Sequence, residues 1–146
     1  MFSFQITYEL FLRLLTALVL GAIVGFEREA RRRPAGLRTH MLVSLGACLF
    51  TIISISNFGM FPPYIIAGIV TGIGFLGAGS IIGSGQRVEG ITTAATLWVV
   101  AGVGLAAGVG EYVLAAMAAL LVLIVLLIKG ADKELQKGIK GIRRRR

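Results

Sequence analysis

Residues 14–33 read LLTALVLGAIVGFEREARRR and decide the fold. Positions 14–26 contain no charged residue, whereas positions 27–33 contain four arginines and two glutamates. An apolar stretch of this kind, closed by a basic cluster, is typical of a membrane helix at its cytoplasmic end. The first helix is therefore predicted to cross the membrane and to finish at Phe26.

The rest of the chain repeats this pattern. It is 56% hydrophobic, yet its formal net charge is +8, so basic residues and apolar spans must be segregated. The sequence predicts an all-α polytopic membrane protein with five transmembrane helices in residues 1–128, followed by a basic cytoplasmic tail in 129–146. The spans are expected near Phe4–Phe26, His40–Phe58, Pro62–Ile82, Thr92–Gly108 and Tyr112–Ile128.

The distribution of basic residues predicts the orientation. Of the 15 lysines and arginines, 14 fall after span one, between spans three and four, or after span five. Because basic residues are retained in the cytoplasm during insertion, the N-terminus is predicted outside and the C-terminus inside. Arg13 breaks the rule, and Glu9 lies one helical turn before it, where an ion pair lowers the cost of burial.

Several classes of protein are not expected. Span one lacks a preceding positive region and ends in charged residues, so cleavage as a signal peptide is not expected. Cys48 is the single cysteine, which excludes a disulfide framework or a thiolate metal site. No nucleophile–base pairing or metal-ligand cluster is visible, so neither an enzyme nor a bound cofactor is expected, and no nucleic-acid partner is expected.

Glycine is abundant, with 20 residues in the chain. Small residues four apart allow membrane helices to pack closely, where no hydrophobic force drives them together. Span three has glycines on two faces and is predicted at the centre of the bundle, and the surplus faces favour a homodimer. The predicted packing glycines are Gly21, Gly25, Gly68, Gly72, Gly74, Gly77, Gly79, Gly104 and Gly108.

One stretch imitates a nucleotide-binding motif. Residues 72–77 read GIGFLG and match the dinucleotide fingerprint, which works only as a strand-to-helix turn. Because the stretch lies inside an apolar span, helix packing is the better interpretation, and nucleotide binding is not expected.

Polar side chains that could form a site gather at the predicted cytoplasmic ends of the spans. A pocket is predicted from Glu27, Arg28, Arg38, Thr39, Glu89, Thr92 and Thr93. The alternative is an ion-pair network that locks the helix ends together, with the threonines as helix N-caps. The sequence does not identify a metal at this site. His40 is interpreted as a polar residue at the interface, with a ligand or pH-sensing role as the alternative.

The basic segments outside the spans predict contact with lipid. Arg31, Arg32 and Arg33 are interpreted as a topology determinant that touches anionic headgroups. In the tail, Leu135, Ile139 and Ile142 recur at helical spacing among lysines and arginines, which predicts an interfacial helix on anionic lipid.

Four motifs in order resemble the MgtC/SapB family of bacterial inner-membrane proteins, over roughly residues 8–128. The motifs are Gly25–Glu29, Pro34–His40, Thr71–Gly79 and Gly90–Trp98. The resemblance implies a multi-pass protein of the bacterial inner membrane linked to adaptation to low magnesium, with inhibition of the F-type ATP synthase proposed for one branch. Virulence-associated members continue into an ACT-like domain, and activities that need that domain are not expected of residues 1–146.

Two functions remain open from the sequence. The first is a membrane-embedded regulator or binding module, linked to magnesium homeostasis, whose polar pocket senses an ion or docks a membrane partner. The alternative is a small transporter or channel for Mg²⁺ or another ion. Mg²⁺ prefers oxygen ligands that usually include carboxylates. Spans two to five offer only hydroxyls, one amide and backbone carbonyls, which favours the first.

Overall fold

The computed structural model describes residues 2–58, 63–84 and 87–143. It contains five helices, as predicted, and one short hairpin that was not predicted. The elements are α1 (Phe2–Ala30), α2 (Leu37–Phe58), α3 (Pro63–Gly79), β1 (Ile82–Ser84), β2 (Arg87–Glu89), α4 (Ile91–Val109) and α5 (Tyr112–Arg143).

The helices have the lengths and compositions of membrane spans. Thr7–Ala30, Leu37–Asn57 and Ile91–Val109 are each long and apolar enough to cross a membrane. Pro63–Gly79 and Tyr112–Ile128 are shorter apolar helices. Thus the multi-pass helical architecture predicted from the hydropathy is confirmed.

Helix α5 differs from the prediction at its end. It continues as helix through Arg143, with no break after Ile128. The basic tail therefore extends the last helix directly. Side chains beyond Ile128 lie outside the described part of the structure, so the interfacial contact of Leu135, Ile139 and Ile142 stays a prediction.

The core lies where α2 is sandwiched between α1 and α4. Helix α4 buries nine residues, among them Val100, Val103 and Ala107, whereas α3 buries only Ile73 and Gly77. The prediction that α3 lies at the centre of the bundle is wrong for the single chain. Helix α3 lies at the edge, packed chiefly on α4, and α2 occupies the centre.

Four of the predicted packing glycines explain how α2 is held. A Cβ atom at Gly21 would lie 2.8 Å from the carbonyl oxygen of His40, and one at Gly25 would lie 2.8 Å from Cα of Leu37. On the other side, a Cβ at Gly104 would overlap the carbonyl oxygen of Ser44. These distances are too short for any side chain, so glycine lets α1 and α4 approach α2 to backbone contact.

Gly108 completes this row, because a Cβ there would lie 2.6 Å from Cβ of Thr51. The glycines of α3 are different. A Cβ at Gly77 would make ordinary contact with Ala94, 3.4 Å away. Those at Gly68, Gly72, Gly74 and Gly79 would meet nothing within 4 Å. Within one chain, these four glycines do not mediate helix packing.

The connection from α3 to α4 is a tight antiparallel hairpin in which Ile82 pairs with Glu89. Gly90 ends it with φ of +93°, in the left-handed region that glycine adopts without strain. A Cβ at Gly90 would overlap the carbonyl oxygen of Ser80. Because residues 72–77 lie wholly inside α3, the strand-to-helix turn of a dinucleotide site is absent from that segment.

Helices α1 and α4 end in the same hydrogen-bond pattern. The N–H of Arg33 donates to the carbonyl of Arg28 at 3.0 Å, and that of Arg32 donates to Glu29 at 2.8 Å. In α4, Glu111 donates to Ala106 and Gly110 donates to Ala107. Both are Schellman motifs, whose left-handed position usually holds glycine. Gly110 fills it in α4, but in α1 it is Arg32, with φ of 52°.

Candidate functional site

The seven residues of the predicted pocket do not share one environment. Arg28 and Thr93 are buried, with 3% and 2% of their surfaces exposed, and Glu27 and Thr92 are partly buried. In contrast, Arg38, Thr39 and Glu89 are exposed. The candidate site described below, which we call the junction cluster, consists of Glu27, Arg28, Arg31, His40 and Thr96.

Its charged half lies in the last turn of α1. The Nε–H of Arg28 donates to Oε2 of Glu27 at 2.5 Å, and Arg28 Nη2 contacts the same oxygen. The side chains of Arg28 and Glu27 are only 4% and 14% exposed. Removing one partner of a buried ion pair of this kind costs about 3–5 kcal/mol, because the other charge is then buried without a partner.

The second oxygen of Glu27 is less completely satisfied. Arg31, one turn later, forms an ion pair with Oε1 through its Nε. This contact lacks the alignment of a hydrogen bond, and Oε1 is buried. Glu27 is therefore an acceptor held between two arginines, one at each carboxylate oxygen.

Glu29 ties α1 to the start of α2. Its Oε2 accepts a hydrogen bond from the backbone N–H of Leu37 at 2.9 Å. Negative charge at a helix N-terminus is stabilised by the helix dipole and by the unpaired first N–H groups. A Cβ at Gly36 would lie 2.8 Å from this carboxylate oxygen, so glycine there makes room for the contact.

The neutral half of the junction cluster joins α2 to α4. His40 is fully buried, at 0% exposure, with Nδ1 lying 2.9 Å from the carbonyl oxygen of Gly36. Its Nε2 lies 3.3 Å from Oγ1 of Thr96, and that hydroxyl lies 2.8 Å from the carbonyl oxygen of Thr93. His40 is thus enclosed by protein, and its depth relative to the membrane interface stays a prediction.

The threonines at the start of α4 do not act as the predicted N-caps. Gly90 is the N-cap residue, and it makes no side-chain capping bond. Thr93 is buried and contributes its backbone carbonyl to Thr96. The hairpin shifts the helix start to Ile91, which moves both threonines into the first turn.

At the opposite end of the bundle, Arg13 shows the expected ion pair and a further contact. Its Nη2 lies 2.5 Å from Oε1 of Glu9. Its Nη1 donates to the carbonyl oxygen of Gly108 at 2.8 Å, close to the C-terminus of α4. A cation at a helix C-terminus is favoured by the helix dipole, so Arg13 fastens α1 to α4 there.

An apolar groove of about 780 Å³ runs between α2 and α3. Gly46 of α2 and Gly68 and Gly72 of α3 lie along it. Ser54 also lines the groove, with a buried hydroxyl that has no hydrogen-bond partner among the described residues. The residues described contain no group of three His, Cys, Asp or Glu side chains that could hold a metal ion.

Sequence reasoning missed two members of the junction cluster. Arg31 was interpreted as a lipid-facing topology residue, although its spacing of four from Glu27 is that of a helical ion pair. Thr96 was not singled out, although it lies one turn after the predicted Thr92 and Thr93. The contact of Arg13 with Gly108 joins residues 95 positions apart, and no local pattern could have indicated it.

The comparisons agree with this architecture. The sequence profile of the MgtC family matches residues 14–135. "Protein MgtC" of Salmonella typhimurium is 45% identical over 119 residues, which cover 82% of this chain and 52% of that protein. "Putative magnesium transporter YhiD" of Escherichia coli K12 is 40% identical over 129 residues, covering 82% of this chain and 60% of that protein.

"Uncharacterized protein slr0014" of Synechocystis is 48% identical over 117 residues, which cover 80% of this chain and 50% of that protein. The chain thus spans about half of the length of the curated relatives it matches. No solved structure matches it significantly. Because the family profile covers most of the chain and its helices have the lengths of membrane spans, the protein belongs to the MgtC family of membrane proteins.

Proposed function

We propose that this protein is a membrane-embedded regulator or binding module in magnesium homeostasis, without enzymatic activity. The observation that supports this most is the buried ion pair of Glu27 and Arg28 at the end of a tightly packed bundle. Charged groups buried in membrane proteins are expensive and are functional candidates by default. The link to magnesium comes from the name of the relative YhiD.

The geometry of Glu27 suggests how such a regulator would respond. Mg²⁺ binds oxygen ligands, usually including one or two carboxylates. In this structure the carboxylate of Glu27 is engaged by Arg28 and Arg31. A cation that binds Glu27 must therefore displace at least one arginine, so cation binding and the ion-pair lock exclude each other. A rise in cation concentration would therefore break an ion pair of Glu27 at the junction of α1 and α2.

The packing of α2 favours a regulator over a conduit. Backbone contacts at Gly21, Gly104 and Gly108 close the space along both sides of α2. The groove that does open, between α2 and α3, is mostly apolar. An ion path needs polar ligands along its length, and this arrangement offers few of them.

One observation favours the alternative, a small transporter or channel. Helix α3 has 17 residues and few buried side chains, and it joins α4 through a short hairpin. A short helix beside an open groove could move relative to α2, as the gating elements of transporters do. The name of the relative YhiD points the same way.

Two measurements separate these functions. Purified protein is placed in liposomes that contain a Mg²⁺-sensitive dye, and Mg²⁺ entry is recorded. Thermal unfolding is then followed with increasing Mg²⁺. We expect no flux, and a rise in melting temperature with Mg²⁺ that Glu27→Gln abolishes. Glu89→Gln, which changes an exposed carboxylate of the hairpin, is the matched control and should respond like wild type.

A flux that needs Glu27 would make the protein a transporter. Because Glu27→Gln leaves Arg28 unpaired, the double variant Glu27→Gln with Arg28→Gln provides a neutral pair that should fold. A Mg²⁺ response that survives in this double variant would remove Glu27 from the site.

The assembly and lipid contacts stay predictions. A homodimer would form through Gly68 and Gly72, which face open space in the single chain. The anionic-lipid contact would involve the basic tail after Ile128. Cross-linking of cysteines introduced at positions 68 and 72 and vesicle binding at varied anionic lipid content would test them separately.

A further inference from the structure

The imidazole of His40 is enclosed by three helices. It lies in the first turn of α2 and is fully buried. On the α1 side, a Cβ at Gly25 would lie 2.9 Å from the Cβ of His40. On the α4 side, Nε2 lies 3.3 Å from Oγ1 of Thr96. The ring therefore has two defined polar neighbours, one at each nitrogen.

The positions of the hydrogens follow from what each neighbour can do. The carbonyl oxygen of Gly36 only accepts, so Nδ1 of His40 must hold a proton and donate it across 2.9 Å. Thr96 has a single hydroxyl hydrogen and two neighbours that can accept it. They are the carbonyl of Thr93 at 2.8 Å and Nε2 of His40 at 3.3 Å.

These two choices correspond to two protonation states of the ring. When the Thr96 hydroxyl donates to Thr93, its lone pairs face Nε2, and only a protonated Nε2 completes the contact. When Nε2 is unprotonated, the hydroxyl must turn and donate to the ring. No heavy atom has to move between the two states.

We propose that His40 is a buried proton-binding site, and that the orientation of the Thr96 hydroxyl changes with the protonation state of the ring. The ring takes one proton from water onto Nε2 and donates it to Thr96 Oγ1, while the hydroxyl hydrogen of Thr96 turns towards Thr93. On release, the proton returns to water and the hydroxyl turns back. No covalent bond of Thr96 breaks, and no oxidant or reductant takes part.

The charged groups that face the ring connect this site to the ion pair. From α1, Glu27 and Arg28 are the charged residues whose electric fields reach the ring. The loop before α2 contributes the Gly36 carbonyl, and α4 contains no charged residue. Proton binding by His40 is thus a second signal to which the junction cluster responds. It does not depend on whether Mg²⁺ is bound or transported.

The chain offers a clean test because it contains one histidine. Protein with ¹⁵N-labelled histidine is placed in lipid nanodiscs, and the two imidazole nitrogens are followed by NMR as pH varies. We expect Nδ1 to stay protonated throughout and Nε2 to gain a proton as the pH is lowered.

Variants of threonine then test the partner. Thr96→Val removes the hydroxyl with little change of shape, and the pH of half-protonation should fall by about one unit, because the charged ring loses its acceptor. Thr96→Ser restores a hydroxyl and should titrate like wild type. Thr39→Val, at an exposed threonine next to His40, is the matched control and should have no effect.

Two results would overturn the proposal. One is a wild-type Nε2 that stays unprotonated down to about pH 5. The other is a Thr96→Val protein that is folded and titrates like wild type. Neither result depends on Mg²⁺ flux or Mg²⁺-dependent melting, so failure of this proposal and failure of the proposed function are distinguishable.

Discussion

Glycines spaced four apart occur in the core helices α1 and α4 and in the edge helix α3, but they behave differently. In α1 and α4 they press against the backbone of α2, where a methyl group would collide with it. In α3, Gly68 and Gly72 have the same spacing and face open space. The spacing identifies a helix face that permits close approach, and it does not say whether the chain supplies the partner.

The burial of polar side chains also differs between the core helices and the edge helix α3. The central helix α2 buries polar side chains with hydrogen-bond partners, such as His40 and Thr51, whereas α3 buries no polar side chain. Buried polar groups need fixed partners, so they occur where the helices are held most tightly. The parts of the molecule that can respond chemically are therefore in the core, and α3 is the part that can be altered without disturbing them.

The sharpest test of the contrast between core and edge glycines adds one methyl group to a glycine of α4 and one to a glycine of α3. Gly104→Ala should lower the free energy of unfolding by roughly 1–3 kcal/mol or more, because overlap with the Ser44 carbonyl forces α4 away from α2. Gly72→Ala is the matched control and should change it little. Thermal unfolding in detergent, monitored by size-exclusion chromatography, measures both. Equal losses would mean that α3 has a close partner in the folded protein.

A smaller and more local effect is expected where α3 joins α4. Gly90→Ala requires a left-handed alanine, which costs about 1–2 kcal/mol, and it also crowds the Ser80 carbonyl. Hydrogen exchange should become faster in α3 and the hairpin, while α2 stays protected. Gly83→Ala, at an open glycine of β1, should leave exchange unchanged. Faster exchange in α2 would show that the edge and the core are coupled.

The smallest expected effect lies at the exposed C-terminal end of α1 and is a gain in stability. Arg32 occupies the left-handed position that Gly110 occupies in α4, and replacing it with glycine removes steric strain. Arg32→Gly should therefore raise the free energy of unfolding by up to about 1 kcal/mol. Arg33→Gly removes the same charge next door without that relief. Equal melting temperatures of the two variants would show that the left-handed conformation of Arg32 does not lower the free energy of unfolding.

The parts of the fold that could be predicted are those set by hydropathy and by residue spacing within one helix. Hydropathy identified the five helices, because a span of about 20 apolar residues has few alternatives in a bilayer. Spacing identified the Glu9–Arg13 pair and the close packing of Gly21, Gly25, Gly104 and Gly108. The central position assigned to α3 was wrong, because glycine spacing alone does not distinguish faces that meet inside a chain from faces left open.

The site was only partly foreseen. Glu27 and Arg28 were recognised from their place at the end of the first span. The exposure of Arg38 and Glu89 depends on which way the loop and hairpin turn, and no periodic pattern indicates that. The enclosure of His40 depends on α4, 56 residues away, and is a tertiary effect. In this protein, spacing predicted the Glu9–Arg13 pair and the glycine faces of α1 and α4, and it did not predict the polar contacts between helices.

The contact of Arg13 with Gly108 has a consequence for biogenesis. The acceptor lies 95 residues further along the chain, so it enters the membrane on the order of 5–20 s later at ordinary rates of synthesis. Until then α1 holds a cation in the bilayer with only Glu9 to offset a cost of about 2.5–3.5 kcal/mol. Helix α1 therefore enters the membrane before the partner of its cation has been made, and the arrival of α4 supplies that partner.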